Sequence, residues 1–370
     1  MKQQNMVNII SFTSNGNHLA RNIRQIIEQC PQKGVFSENM QVCVQESRKL
    51  SLPLREWCRN AFAQSETLIF IGAVGIAVRL TAAFIRDKYE DPAVLVVDEL
   101  GRFVIPILSG HVGGANEFAC FLAQRLGAVP VITTATDLYG KFAVDVFAAK
   151  NGLYISDRLL AKKISAAVLE GEKIGFYCEK QVLGVMPKEL VWSHEDFHGK
   201  EEVQVKYRIC VSVHRGKEDG RTLYLYPRAL VLGIGCRKGK SAEEIETFVQ
   251  QRFEQGQFAR ESLFAAASVD LKKQEQGIID FCEKWKLSFH TFSPERLAQV
   301  PGNFMDSAFV ADTVGVGNVC ERAAAAYVME LTAETARKTP EAEDQLIQKK
   351  TAEDGMTLAV AEADWSVKFE

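Results

Sequence analysis

The run Ser109-Gly110-His111-Val112-Gly113-Gly114-Ala115-Asn116-Glu117 concentrates more chemistry than any other stretch of the chain. Glycines on both sides of one histidine, directly before a helical pattern, let the backbone approach a ligand closely. An imidazole changes charge near neutral pH, so His111 can act as a general base, a hydrogen-bond donor or an axial ligand to a metal. Asn116 can bond a polarised oxygen beside it. Asp98 and Glu99 sit in the preceding turn; Asp98 joins His111 and Asn116 as a catalytic candidate, while Glu99 reads as a solvated turn acid.

Two other glycine elements have anion chemistry. Gly72-Ala-Val-Gly75 ends an apolar run and opens a helix carrying Arg79. Unpaired N–H groups at such a turn hold anions, and a guanidinium matches a carboxylate in two-pronged fashion. Gly233-Ile-Gly235-Cys236-Arg237-Lys238-Gly239-Lys240-Ser241 resembles a dinucleotide fingerprint, but its third glycine falls one residue late and Lys238 takes its place. Ser241 and Glu244 predict a capping box, which puts the basic cluster at a helix N-terminus and makes it a local anion site.

His194-Glu195-Asp196-Phe197-His198 spells the H-E-x-x-H zinc signature. Zinc needs that signature on a stable buried helix with a third ligand. Here Pro187 and Gly199 flank it in the most polar part of the chain, and no strong third ligand can be named, so no metal site is expected. No G-x-S-x-G elbow, P-loop or EF-hand loop occurs.

These residues must be carried by elements whose order is legible. β-rich runs alternate with helical stretches, the pattern of parallel sheets flanked by helices, so the fold class is α/β. The spacing predicts strands at Met6–Phe12, Thr67–Gly72, Ala93–Val97, Phe103–Leu108, Val129–Thr134, Lys173–Gly184, Ala229–Gly233, Leu263–Val269 and Met356–Ala361. Helices are expected at His18–Gln29, Ile76–Asp87, Asn116–Leu126, Ala242–Gln255, Gln274–Trp285 and Val319–Leu331, with Lys141–Leu169 mostly helical. Asp98-Glu99-Leu100-Gly101 has turn chemistry and predicts a hairpin. Pro187–Gly220 reads as a peripheral module or a mobile segment. The expected organisation is an amino-terminal α/β domain at 1–136, a smaller α+β middle segment at 137–228 and a carboxy-terminal α/β domain at 229–370, the two α/β domains having mainly parallel sheets.

Composition bounds the function classes. The 370 residues are 47% apolar and 25% charged with a net charge of −3, which excludes a strongly basic nucleic-acid binder. The longest apolar stretch, Thr67–Ala77, is far short of the roughly 20 residues a membrane span needs, and the start lacks an export signal. A cytoplasmic chain is the expectation. Nine scattered cysteines with no C-x-x-C pair read as buried apolar residues of a reduced compartment.

Taken together, Phe70–Arg79, Pro106–Glu117, Thr133-Thr-Ala-Thr-Asp137, Leu232–Gly239, Ser268–Lys273 and Val316–Arg322 resemble the cobalt-precorrin-5A hydrolases of anaerobic cobalamin biosynthesis. The segment Lys180–Gly220, with its histidine pair, carries little of the resemblance. The carboxy-terminal half alone also resembles a small stand-alone corrinoid-pathway protein.

The resemblance implies opening of a δ-lactone on a ring-contracted cobalt corrinoid, with loss of acetaldehyde to give cobalt-precorrin-5B. It implies no protein-bound cofactor, because the cobalt macrocycle brings its own electron sink. Under this reading His111 activates water or protonates the departing fragment. The amides around Gly113 and Gly114, with Asn116, hold the oxyanion. Gly72, Gly75 and Arg79 grip peripheral carboxylates, and Ser109, Gly110, Thr133 and Thr134 line the substrate site. Gly235, Cys236, Arg237 and Lys238 close over the opposite edge of the macrocycle. The partners are the corrinoid and other enzymes of its pathway, with no nucleic acid and no membrane. Two rival classes stand beside it: a binding or hand-over protein for a corrinoid intermediate, and a nicotinamide-dependent oxidoreductase using Gly233–Gly239 and Asp270.

Overall fold

Ala93–Val97 is apolar at every position, and such a run is a strand covered on both faces. In the computed structural model all of its residues are buried. The structure describes residues 6–29, 40–88, 90–111, 113–193, 205–305, 317–334 and 345–369. The chain divides into two units, Met1–Val146 and Phe147–Glu370.

The first unit runs β1 (Met6–Ser11), α1 (Ser14–Gln29), β2 (Gln41–Glu46), α2 (Leu54–Gln64), β3 (Thr67–Ile71), α3 (Val74–Thr81), β4 (Ala93–Val97), β5 (Phe103–Leu108), α4 (Ala115–Leu126), β6 (Val129–Pro130) and α5 (Ala135–Leu138), and α6 (Val144–Lys150) crosses the division. Its sheet has the order β2-β1-β3-β4-β5-β6. The first four strands are mutually parallel, β5 returns antiparallel to β4, and β6 follows β5 in parallel.

Alternate strand residues face opposite sides, which sorts the core into two layers. Val7, Ile9, Ile69, Ile71, Leu95 and Val97 pack with α1 and α4; Ile10, Leu68, Phe70, Val94 and Val96 pack with α2 and α3. Helix α1 buries Gly16, Ala20, Ile23 and Ile27, spaced by three or four, so one stripe meets the sheet.

The second unit holds β7 (Leu153–Ile155), α7 (Arg158–Leu169), β8 (Ile174–Cys178), β9 (Gln181–Leu183), β10 (Leu190–Trp192), β11 (Tyr207–Val211), β12 (Thr222–Pro227), β13 (Leu230–Cys236), α8 (Ala242–Gln255), β14 (Leu263–Val269), α9 (Gln276–Trp285), β15 (Ser288–Phe292), α10 (Pro294–Ala298), α11 (Cys320–Glu334), β16 (Leu346–Glu353), β17 (Met356–Glu362) and β18 (Ser366–Lys368). One sheet has the order β10-β8-β11-β12-β7, parallel except for β7; another has β15-β14-β13-β17-β16, with β17 and β16 antiparallel. β18 returns to pair with β9, and Phe369 then stacks on Phe147 with ring centroids 4.8 Å apart. The last strand is thus tied to elements from the start of the same unit.

Several expectations change. Tyr207–Val211 is not peripheral: β11 is an internal strand whose Ile209 and Val211 are fully buried, and polar flanks hid that short apolar core. Lys141–Leu169 is interrupted by β7, because the Gly152 turn ends α6. Lys173–Gly184 splits into β8 and β9, which join different sheets. The helix expected at Ile76–Asp87 stops at Thr81, and β6 covers only Val129–Pro130. Strands β2, β12, β15 and β16 and helix α2 carry too little periodic signal and were not anticipated. The described cysteines are free; Cys58, Cys210, Cys282 and Cys320 are buried as expected, whereas Cys120 is exposed.

Candidate functional site

The segment joining β5 to α4 folds into a tight knot that sets His111. Ser109 takes a positive φ of 54° and Gly114 one of 76°. A Cβ on Gly113 would lie 2.4 Å from Ser109 Cβ, so the loop closes only with glycine there. Backbone bonds from Gly114 N to His111 O, Ala115 N to Ser109 O and Asn116 N to Gly110 O fasten it. Helix α4 follows without a side-chain cap and stops at Gly127 in the left-handed conformation.

This knot, with the turn after β6, surrounds the imidazole. Nε2 lies 2.8 Å from Thr136 Oγ1 and 3.0 Å from Asp137 Oδ2, while Nδ1 faces Asp145 Oδ1 at 3.6 Å. Asn116, itself buried, donates from Nδ2 to Thr134 Oγ1 at 2.9 Å and to Asp137 Oδ2 at 2.5 Å. The other Asp145 oxygen takes a bond from Lys88 Nζ at 2.6 Å. The two aspartates address different ring nitrogens, so they do not converge on one point as metal ligands would. Among the described residues no His, Cys, Asp and Glu side chains gather into a metal-holding group.

The electrostatics follow from this placement. Asp145 raises the His111 pKa above its ordinary value; burial opposes that, and the charge of Asp137 adds to it. Burial would raise the Asp145 carboxyl as well, but bonds from His111 and Lys88 overcome it and hold the group well below the usual carboxylate range. The result is an imidazole flanked by two carboxylates that favour its protonated form, suited to giving a proton and to stabilising developing negative charge.

The candidate residues do not all meet. β4 and β5 are antiparallel, with Val97 opposite Val104 and Val94 opposite Leu108. The loop after β5 is therefore at the edge where β4 begins, and Ser109 Oγ bonds Asp91 O there. His111, Asn116, Ser109, Gly110, Gly113, Gly114, Thr133 and Thr134 belong to this edge. Gly72, Gly75 and Arg79 follow the carboxyl end of β3, at the other edge, separated by a strand length of about 16 Å at 3.3 Å per residue. Exposed Arg79 turns back on its own helix, with Nη1 3.4 Å from Gly75 O.

Asp98 is likewise at the far edge, against expectation. Its carboxylate accepts from the N–H groups of Arg102 and Phe103 and from Arg102 Nε, and these bonds, working against the effect of burial, leave its pKa low. It builds the hairpin turn. Of the amides expected to hold an oxyanion, that of Gly114 serves the knot, as do those of Ala115 and Asn116, and both bonds from Asn116 Nδ2 are internal to the cluster.

Gly235, Cys236, Arg237 and Lys238 lie in the second unit, at the end of β13. Gly235 pairs with Thr357, and Arg237 N bonds Gly355 O. The predicted capping box is present, Ser241 accepting from Glu244 N while Glu244 accepts from Ser241 N. The basic cluster is partly neutralised from within: Lys240 pairs with Glu244 at 2.7 Å, and Glu275 takes the Gly239 N–H at 2.8 Å. Arg237 and Lys238 are exposed. The histidine pair His194 and His198 lies outside the described residues.

Lys88, Thr136, Asp137 and Asp145 were missed as site residues. A single signal existed: Thr133-Thr-Ala-Thr-Asp137 stood among the motifs, yet its acid was taken for a domain boundary. Lys88 and Asp145 sit in stretches without pattern, and only folding places them at the imidazole.

Three family descriptions match in chain order: Cobalamin synthesis G N-terminal at 56–137, Cobalamin biosynthesis central region at 142–227 and Cobalamin synthesis G C-terminus at 230–361. A protein of Salmonella typhimurium named cobalt-precorrin-5A hydrolase is 37% identical over 272 residues, covering 72% of this chain and 77% of its own. One of Priestia megaterium with the same name is 31% identical over 358 residues, covering 89% and 91%. The matched segments contain His111 together with Lys88, Thr136, Asp137 and Asp145, and the chain belongs to the cobalamin synthesis G family, whose curated relatives are cobalt-precorrin-5A hydrolases.

Proposed function

We infer that this chain is a cobalt-precorrin-5A hydrolase acting at the His111 edge of its first unit. Family membership supports the activity, and the single observation that supports its placement is the imidazole held between Asp137 and Asp145. Asp137 is 38% exposed; Oδ2 is engaged by Asn116 and His111, and among the described residues Oδ1 takes no hydrogen bond. That oxygen is placed to receive a proton from water as the water adds to the lactone carbonyl carbon. The ring C–O bond then breaks, and the His111 imidazolium gives its proton to the departing alkoxide.

In the second stage the new hydroxyl loses its proton and its C–O bond becomes C=O. The bond joining that carbon to the macrocycle breaks, its electron pair enters the conjugated ring, and acetaldehyde leaves. The reading asks for no cofactor bound by the protein. The cobalt belongs to the substrate. Of the two roles expected for His111, proton donor is the one its raised pKa favours.

Acetaldehyde release by purified protein tests both parts. The His111→Ala variant is expected to lose about 10²- to 10⁴-fold in turnover, the usual worth of a positioned acid or base. Near-normal turnover would remove His111 from the chemistry. Binding of the corrinoid without any acetaldehyde release by the unaltered chain would instead favour the hand-over protein.

A further inference from the structure

In the order β2-β1-β3-β4 the chain leaves β1 for β2 on one side and β3 for β4 on the other, all four strands being parallel. Crossovers diverging in this way open a crevice at the carboxyl ends of the two strands, where ligands of such sheets bind. Phe12-Thr13-Ser14-Asn15 forms one lip of it. Gly72 forms the other, and a Cβ there would lie 3.3 Å from the Phe12 ring.

The 16-residue helix α1 begins at Ser14, inside this crevice. Thr13 satisfies part of its first turn, accepting from Gly16 N at Oγ1 and from Asn17 N at its carbonyl. Among the described residues the Ser14 and Asn15 amides have no partner. Independently of the helix, Ser11 Oγ is an orphan: the residue is 1% exposed and its hydroxyl has no partner. Ser11 lines a cavity of about 40 Å³ together with Thr13, Ser14, Glu46 and Arg48. A buried hydroxyl without a bond is costly, so it marks a place where a ligand atom belongs.

The charges suit an anion. Glu46 is already bonded by Lys49 at 2.8 Å, by Arg21 at 3.7 Å and by Asn17. Glu99, the other acid nearby, takes the Thr13 hydroxyl at 2.5 Å. Arg48 has no ion pair among the described residues. We propose that Ser11, the first turn of α1 and Arg48 form a site for one phosphate group, free or as a monoester, at the edge of the sheet opposite His111. Its three kinds of donor (hydroxyl, helix N–H, guanidinium) are those that recognise phosphate. The site does not depend on the hydrolase reading.

Titration of the full chain with inorganic phosphate, followed by calorimetry, tests it. The unaltered chain is expected to bind phosphate, and Ser11→Ala and Arg48→Gln each to weaken binding at least tenfold. Ser11→Ala should leave acetaldehyde release unchanged. Arg48 is a surface residue, so its variant keeps the test valid where Ser11→Ala fails to fold. No binding at millimolar phosphate, equal binding by the Arg48→Gln variant, or acetate binding as tightly as phosphate would overturn the assignment.

Discussion

His111 Nδ1 lies 3.6 Å from Asp145 Oδ1, and the opposite oxygen of that carboxylate is held by Lys88. Lys88, Asp145 and His111 thus alternate in charge across three segments of the chain. Asp145 is a positioning residue: it faces the ring and favours its protonated form.

A raised His111 pKa keeps the imidazolium available to higher pH, so proton donation is complete at low pH and lost as pH rises through that value. Asp145→Asn removes the largest cause. The alkaline limb of kcat against pH, read by acetaldehyde release, should move towards lower pH. An unchanged limb would show that Asp145 does not act through the ring.

The same pair shapes stability. His111, raised in the fold, contributes stability below the ordinary imidazole value of about 6.5 that is lost as pH rises through its folded value. Asp145, depressed, contributes above the ordinary carboxylate value of about 3.9 and is lost as pH falls through its folded value. Both contributions are present between about pH 4 and 6.5, so the gap in Tm between the unaltered chain and His111→Ala should be widest in that window. A gap independent of pH refutes it.

Asp137→Asn separates the two aspartates. Asp137 touches the reacting water in the proposed scheme, and removing a general base costs about 10²- to 10⁴-fold in kcat. Its effect should exceed that of Asp145→Asn, with KM nearly constant. Equal losses in the two variants would make Asp137 another positioning residue.

Gly113→Ala attacks the knot without removing any donor or acceptor. Its Cβ would meet Ser109 Cβ at 2.4 Å and Ser109 O at 2.8 Å. Overpacking of this kind costs about 1–3 kcal/mol. Urea denaturation should report that loss, accompanied by a fall in kcat as His111 shifts. An active variant of unaltered stability would show that the loop is adaptable.

In the second unit, Ser241 caps α8 with its side chain. Ser241→Ala should cost about 1 kcal/mol, and Ser241→Gly only a few tenths, because water can replace the hydroxyl at a glycine cap. Comparison of the two by urea denaturation checks it; equal losses would mean the cap is not the source.

What the sequence determined by itself was local. Ala93–Val97 and Leu263–Val269 were legible to the residue because strands covered on both faces leave an unbroken apolar run. Helix α8 was legible at both ends because a capping box is written in adjacent residues. His111 stood out because glycines surround it, and the family was readable from motifs in their order. Tyr207–Val211 was not, since its burial depends on strands from elsewhere.

Only the tertiary structure decided what His111 is. The antiparallel turn at Asp98–Arg102 sends β5 back across the sheet, placing His111 at one edge and Gly72, Gly75 and Arg79 at the other. That reversal separated candidates the sequence had grouped. It gathered Thr136, Asp137 and Asp145 around the ring instead, with Lys88 on the second oxygen of Asp145, and the charge of an imidazole is set by the groups within a few ångströms of it, which no spacing along the chain records.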